Sequence, residues 1–211
     1  MIDLTPTVYI VDDDNGVRSS IRILMKSVGL PATTFASAQE FLAAYHATQG
    51  GCVVLDIRMP GMSGLELQQE LNQRGAVIPV IFITGHGDVP MAVEAMRHGA
   101  FDFLQKPFRD QDLIDRVQQA LQRDRETRDG LKEHGRIRAH LASLTARERQ
   151  VLDLLIAGKA NKSMAHELSL SQRTVEIHRA HVMEKMAARS IAQLVRMVLD
   201  VERGTQPATP G

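Results

Sequence analysis

Three stretches of this chain are short and almost unbrokenly apolar: Thr7-Val8-Tyr9-Ile10-Val11, Cys52-Val53-Val54-Leu55 and Pro79-Val80-Ile81-Phe82-Ile83-Thr84. A strand with one wet face alternates apolar and polar residues. A strand without alternation is covered on both faces, the condition of a parallel sheet flanked by helices. Segments of helical period lie between the runs: Val17, Ile21, Leu24 and Val28, then Leu65, Leu67 and Leu71, then Met91, Ala92, Ala95 and Met96. Thr33-Thr34-Phe35 and Phe101-Asp102-Phe103-Leu104 add two shorter strands, each followed by a helical stretch. Five βα units in about 120 residues predict an open, doubly wound α/β sheet.

The remainder of the 211 residues is enough for a second domain. Helical character continues through Leu113, Val117 and Leu121 into residues 123–129, where six of seven side chains are charged. Gly130 and Gly135 are expected to interrupt it, and apolar periodicity resumes at Ile137, Leu141 and Leu144. The first domain is therefore placed at 1–122, a charged helical linker at 123–143 and an all-helical domain at 144–203. The Pro/Gly-rich residues 204–211 are expected to be disordered. Thr145 with Glu148 three residues on reads as a capping box opening a helix that Gly158 stops. A short helix over 161–168, a turn at 169–171 and a longer helix from Gln172 to about Ala187 then make a helix-turn-helix.

The formal net charge of zero conceals a division. Residues 1–122 carry 9 Lys and Arg against 14 Asp and Glu, whereas residues 144–211 carry 10 against 7. The basic end permits a nucleic-acid partner. No apolar run approaches the roughly 18 residues of a membrane span, and residues 1–6 lack the pattern of a secretion signal, so a cytoplasmic protein is expected. The single cysteine, Cys52, sits in a strand run and is assigned no chemistry.

Ligands of open α/β sheets bind at the carboxyl ends of the strands. Asp12, Asp13 and Asp14 follow the first strand here, Asp56 the third, Thr84 the fourth and Lys106-Pro107 the fifth. Clustered carboxylates repel unless a cation shares the site, and hard oxygen donors suit Mg²⁺ (or Mn²⁺). A carboxylate beside such an ion can attack a phosphoryl donor. Asp56, alone at its strand end, is the expected nucleophile, with Lys106 and Thr84 donating to the phosphoryl oxygens. Each part has a plainer reading: an acid run before a helix usually caps it, a strand-end Thr is usually only that, and a lone Lys is usually solvated. Only the joint order of the five positions favours chemistry.

These residues resemble the receiver domain of bacterial two-component response regulators over residues 5–122. The resemblance rests on Val11-Asp12-Asp13-Asp14, on the run from Leu55-Asp56-Ile57-Arg58 through Met59-Pro60-Gly61-Met62-Ser63-Gly64, on Ile83-Thr84-Gly85-His86-Gly87-Asp88, and on Lys106-Pro107-Phe108. It implies a flavodoxin-like (βα)5 fold and phosphorylation of Asp56 by a sensor histidine kinase. It further implies Mg²⁺ ligation by Asp13, Asp56 and the Arg58 carbonyl with Asp12 assisting, a cis Lys106-Pro107 bond, and Phe103 at an aromatic switch position. Residues 85–96 are similar to the FixJ subgroup, which implies a homodimer on phosphorylation. His86 itself reads as a solvated loop residue and not a catalytic one.

The helical region from residue 142 to 200 is similar to the LuxR-type (NarL/FixJ) helix-turn-helix. The match lies in Leu144-Thr145-Ala146-Arg147-Glu148, Gly158, Asn161-Lys162, Arg173-Thr174-Val175-Glu176, His178-Arg179 and Lys185-Met186. The resemblance implies promoter DNA and RNA polymerase as partners and a transcriptional regulator, not an enzyme. Glu176, Ile177, Arg179 and Ala180 are then expected at bases, and Lys162, Arg173, Thr174, His178 and Lys185 mainly at phosphates. Three other readings stand beside this one. A haloacid dehalogenase-like phosphatase would need a second acid two residues after the nucleophile, where Arg58 stands. A nucleotide-binding module would need a Gly-rich phosphate loop, which no strand precedes. A regulator that meets only proteins differs in not binding duplex DNA.

Overall fold

The computed structural model describes residues 5–85 and 89–203. Its chain divides into two compact units, Met1–Asp129 and Gly130–Gly211. In the first, β1 (Thr7–Val11), α1 (Asn15–Ser27), β2 (Ala32–Phe35), α2 (Ala38–Ala44), β3 (Gly51–Asp56), α3 (Gly64–Gln73), β4 (Val80–Thr84), α4 (Val89–Arg97) and β5 (Asp102–Gln105) alternate strand with helix. α5 (Asp110–Ala142) follows. The five strands form one parallel sheet, as expected, and their order is β2-β1-β3-β4-β5.

Alternate residues of the central strands supply two cores. Val8, Ile10, Cys52, Val54, Ile81 and Ile83 pack with Ile21 and Met25 of α1 and Leu113 and Val117 of α5. Tyr9, Val11, Val53, Leu55, Val80 and Phe82 pack on the other face with Phe41 of α2, Leu67 and Leu71 of α3 and Ala95 of α4. All six residues of β3 are buried, so its C-terminal residue, Asp56, is delivered to the rim of the sheet from the centre of the fold.

At the opposite rim the helix α5 is clamped to the sheet. Asp124 Oδ2 accepts the Gly51 N–H at 2.9 Å, and Arg128 Nε donates to both Asp124 oxygens at 2.8 and 2.9 Å. The Arg128 guanidinium also donates to the carbonyls of Ala47 and Gln49 at 2.9 and 2.5 Å. α5 then continues without a break through Gly130 and Gly135, contrary to the interruption expected there. A helical glycine costs only about 1 kcal/mol relative to alanine. Anchors on either side, the clamp before and buried Ile137 after, keep the exposed turn between them helical.

The second unit holds α6 (Ala146–Ile156), α7 (Asn161–Leu168), α8 (Gln172–Lys185) and α9 (Ile191–Arg203). Thr145 and Glu148 form the expected capping box, and Ser171 caps α8 through the Thr174 N–H. Gly158 ends α6 at φ +73°, and Ser169 closes α7 in the left-handed region. Val151, Leu152, Met164, Val175, Val182, Met186, Leu194 and Val198 form the core. Val175, Val182 and Met186 of α8 and its C-terminal end are fully buried. Residues 204–211, expected to be disordered, lie outside the described residues.

Candidate phosphoacceptor site and DNA-reading face

Asp12 stands one step beyond the last paired residues of β1 and β3, Val11 and Leu55, and so beside Asp56. Asp56 pairs in register with Ile83, which sets Thr84 one residue further along the same rim. From β5 the Lys106 ammonium reaches in, 2.8 Å from Asp56 Oδ1 and 2.9 Å from Asp12 Oδ2. The Lys106-Pro107 bond is cis, and the Lys106 N–H donates to the Thr84 carbonyl at 2.7 Å. The carboxylates of two strand ends, Asp12 and Asp56, thus share the one ammonium that a third brings.

The second oxygen of Asp56 accepts the Arg58 N–H at 3.0 Å, and Asp12 Oδ1 accepts the Asp14 N–H at 2.8 Å. Asp12, Asp56 and Thr84 are buried, whereas Asp13 and Asp14 are exposed. Asp14 caps α1 through the N–H groups of Gly16 and Val17, which hold its carboxyl below the usual range. The capping reading of the acid run therefore holds for Asp14, while Asp12 faces Lys106. Burial pushes the Asp56 carboxyl up, opposed by the hydrogen bond and charge of Lys106. Burial also works to lower the Lys106 pKa, but the two carboxylates outweigh it and the ammonium form is strengthened. Among the described residues no three His, Cys, Asp or Glu side chains converge on one point as a metal cage. The donor set of carboxylates plus the Arg58 carbonyl is nonetheless all hard oxygen, the chemistry that suits Mg²⁺.

Phe103 on β5 lies opposite Phe82 of β4 and is 37% exposed. His86, with Gly87 and Asp88, lies outside the described residues. The Gly64 backbone packs so tightly under the site that a Cβ there would stand 2.3 Å from the Asp56 carbonyl oxygen, so the first position of α3 is closed to any side chain.

On α8 the side chains of Arg173, Glu176, Ile177 and Ala180 are exposed and those of Thr174, His178 and Arg179 are half-buried. Ile177, 48% exposed, is an apolar group left in water in the middle of that face. Lys162 on α7 is exposed as well. Lys185 differs: its ammonium lies 2.7 Å from Glu148 Oε2 and is thereby engaged inside the protein, a partner that sequence reasoning did not assign to it.

Two sequence families match the chain: response regulator receiver domain over residues 8–118 and bacterial regulatory proteins, luxR family, over residues 142–198. It is 52% identical to the transcriptional regulatory protein FixJ of Azorhizobium caulinodans over 91% of both chains. The chain belongs to the FixJ-like response regulators. This response regulator is also 48% identical to nodulation protein W of Bradyrhizobium diazoefficiens, over 90% of its own length and 84% of that protein. Among solved structures, response regulator StyR superposes with a TM-score of 0.86 at 47% identity, covering 92% of this chain and 98% of that one. Full-length FixJ from B. japonicum gives 0.59 at 43% identity, covering 94% and 98%. A receiver joined to a LuxR-type DNA-binding domain makes the response regulator a phosphorylation-dependent transcription regulator, as the strand-end acids and the helix-turn-helix imply. Among the described residues no helix is long and apolar enough to cross a membrane.

Sequence reasoning saw Glu148 only as a cap. In the folded response regulator Glu148 Oε2 takes the Thr145 N–H at 2.8 Å and the Lys185 ammonium at 2.7 Å, while His181 Nδ1 stands 3.7 Å from Oε1. The Lys185 hydrogen bond, then the Thr145 N–H, lower the Glu148 pKa from 4.5 to about 2. A carboxyl with a depressed folded-state pKa stabilises the fold above its unfolded value and loses that contribution as pH falls toward the folded value. The urea midpoint of the helical unit is therefore expected to drop between pH 4.5 and about 2, and Glu148→Gln should flatten that drop. An unchanged pH slope in the Gln variant would count against this role.

Proposed function

We propose that Asp56 is the phosphoryl acceptor of this regulator and that a phosphohistidine of a sensor histidine kinase is the donor. The observation that carries the reading is the single ammonium of Lys106 held between Asp56 and Asp12. An Asp56 oxygen forms the new bond to phosphorus as the P–N bond of the donor breaks, and the departing imidazole keeps the electron pair. Lys106 stays within reach of the negative oxygens that arrive, and the Thr84 hydroxyl serves a further one. Mg²⁺ (or Mn²⁺), held by Asp13, Asp56 and the Arg58 carbonyl with Asp12 assisting, would neutralise charge on the transferring group. The receiver's own chemistry is confined to gaining and losing this phosphoryl group.

Drawing Thr84 toward a phosphorylated Asp56 opens space into which the exposed Phe103 ring turns. Phe103 and Met96, 37% and 41% exposed, then change the face that α4 and β5 present, which favours a homodimer. Two helix-turn-helix units brought together bind two promoter half-sites with the effective concentration of a linked pair. Glu176, Ile177, Arg179 and Ala180 face bases, with Lys162, Arg173, Thr174 and His178 at phosphates. Lys185 reaches the DNA backbone only to the extent that Glu148 releases it. RNA polymerase is the partner downstream and the cytoplasm the compartment. The domains run 1–122 and 144–203, with 123–143 as the linker. In gel-shift titrations, acetyl phosphate is expected to raise affinity for promoter DNA by about tenfold or more. Equal affinity with Asp56 fully modified would overturn the scheme.

A further inference from the structure

Of the three helices of the DNA-binding core, α6 and α8 are capped by side chains, Thr145 and Ser171. α7 is not: Ala160 holds its N-cap position and makes no side-chain bond. Asn161, the next residue, is of a type that favours capping, yet its amide is turned away from its own helix and reaches α8. Its Nδ2 donates to Glu176 Oε1 at 3.5 Å, and its Oδ1 accepts from the Arg179 guanidinium. An amide has one donor end and one acceptor end. Here the donor end meets the acid and the acceptor end meets the base, so the amide is turned to serve both charged side chains at once.

Glu176 and Arg179 are three residues apart on one face of α8 and would otherwise be long, freely rotating groups. Neither is spent by the contact. A carboxylate keeps a second oxygen and a guanidinium keeps further N–H donors. What Asn161 removes is the freedom of the two groups to sample other directions, a cost each would otherwise meet on docking. We propose that Asn161 is a positioning residue for base recognition: from α7 it aims Glu176 and Arg179 and so helps set which base pairs this regulator prefers. The assignment rests on the reading that these two residues face bases. A Glu so aimed accepts from a cytosine N4 amino group, and an Arg donates to guanine O6 and N7.

The test uses the full chain with acetyl phosphate. Duplexes selected from a randomised pool give a preferred sequence, and affinities are then measured for it, for each single-base change and for an unrelated duplex. Glu176→Ala and Arg179→Ala mark the positions that each side chain reads. Asn161→Ala is expected to cut discrimination at both sets of positions by about tenfold, while affinity for the unrelated duplex and its salt dependence stay within about twofold. Asn161→Asp keeps the acceptor toward Arg179 but sets a like charge against Glu176. It should lose discrimination at the Glu176 positions only. Discrimination retained by Asn161→Ala, where Glu176→Ala and Arg179→Ala flatten it, overturns the proposal and leaves the base-reading face standing. An equal loss on every duplex, the mark of a merely structural role, also overturns it. Discrimination unchanged in all variants overturns both the proposal and the reading beneath it.

Discussion

Asp56→Asn is expected to abolish phosphoryl uptake from acetyl phosphate, by about a hundredfold or more, and to make DNA affinity the same with and without the phosphodonor. The substitution preserves shape and removes the nucleophilic carboxylate. Lys106 keeps Asp12 as a partner at 2.9 Å, so its ammonium is not left buried and unpaired, and the fold should survive. Burial already disfavours the charged form of Asp56, which further limits the stability cost of neutralising it. Phosphorylation is read by mass shift and DNA binding by gel shift. Persistent labelling of the Asn variant would sink the assignment and direct attention to Asp12 and Asp13, the remaining acids of the cluster.

Gly51→Ala is expected to destabilise the first unit by about 3–5 kcal/mol, a large share of the total stability of a domain. Gly51 has φ +147°, and a Cβ placed there would lie 1.9 Å from the Thr7 carbonyl oxygen on the neighbouring strand. That oxygen belongs to the backbone of β1, so it cannot swing aside as the end of a side chain would. Relief requires moving β1 or β3, whose pairing begins with Thr7 opposite Gly51. The same shift would drag the Gly51 N–H off Asp124 Oδ2, leaving a buried carboxylate short of a donor. Urea unfolding followed by tryptophan-independent far-UV signal should show a lower midpoint with an unchanged slope. A loss below about 1 kcal/mol would show that the strand pair yields more easily than its geometry implies.

The sheet and its site were readable from the chain because period and position carried them. Unbroken apolar runs specify strands covered on both sides, and the residue after such a strand has to lie at the rim where ligands bind. Asp12, Asp56, Thr84 and Lys106 were found on that logic. The helix-turn-helix was legible through its punctuation, Thr145, Gly158 and Ser169–Ser171, since caps and left-handed turns are local. What escaped were contacts whose partners are distant in sequence. Asp124 and Arg128 fall in a charged run that reads as solvated, although Asp124 lies on the stripe that Leu113, Val117 and Ala120 define and is buried with them. That stripe was the available signal. Gly51 carried none, because its need for glycine comes from Thr7, and Asn161 gave no hint that its partners lie on another helix.

The paired acid and guanidinium that bind α5 to the start of β3 and the loop before it have a bearing on how the chain comes apart. Between Arg128 and buried Ile137 the helix offers Lys132 and Arg136 to solvent beside two glycines, so unwinding that begins there meets a firm stop on either side. Brief trypsin digestion should therefore release an intact N-terminal fragment ending near residue 132, and trimming past residue 128 should require the whole sheet to melt.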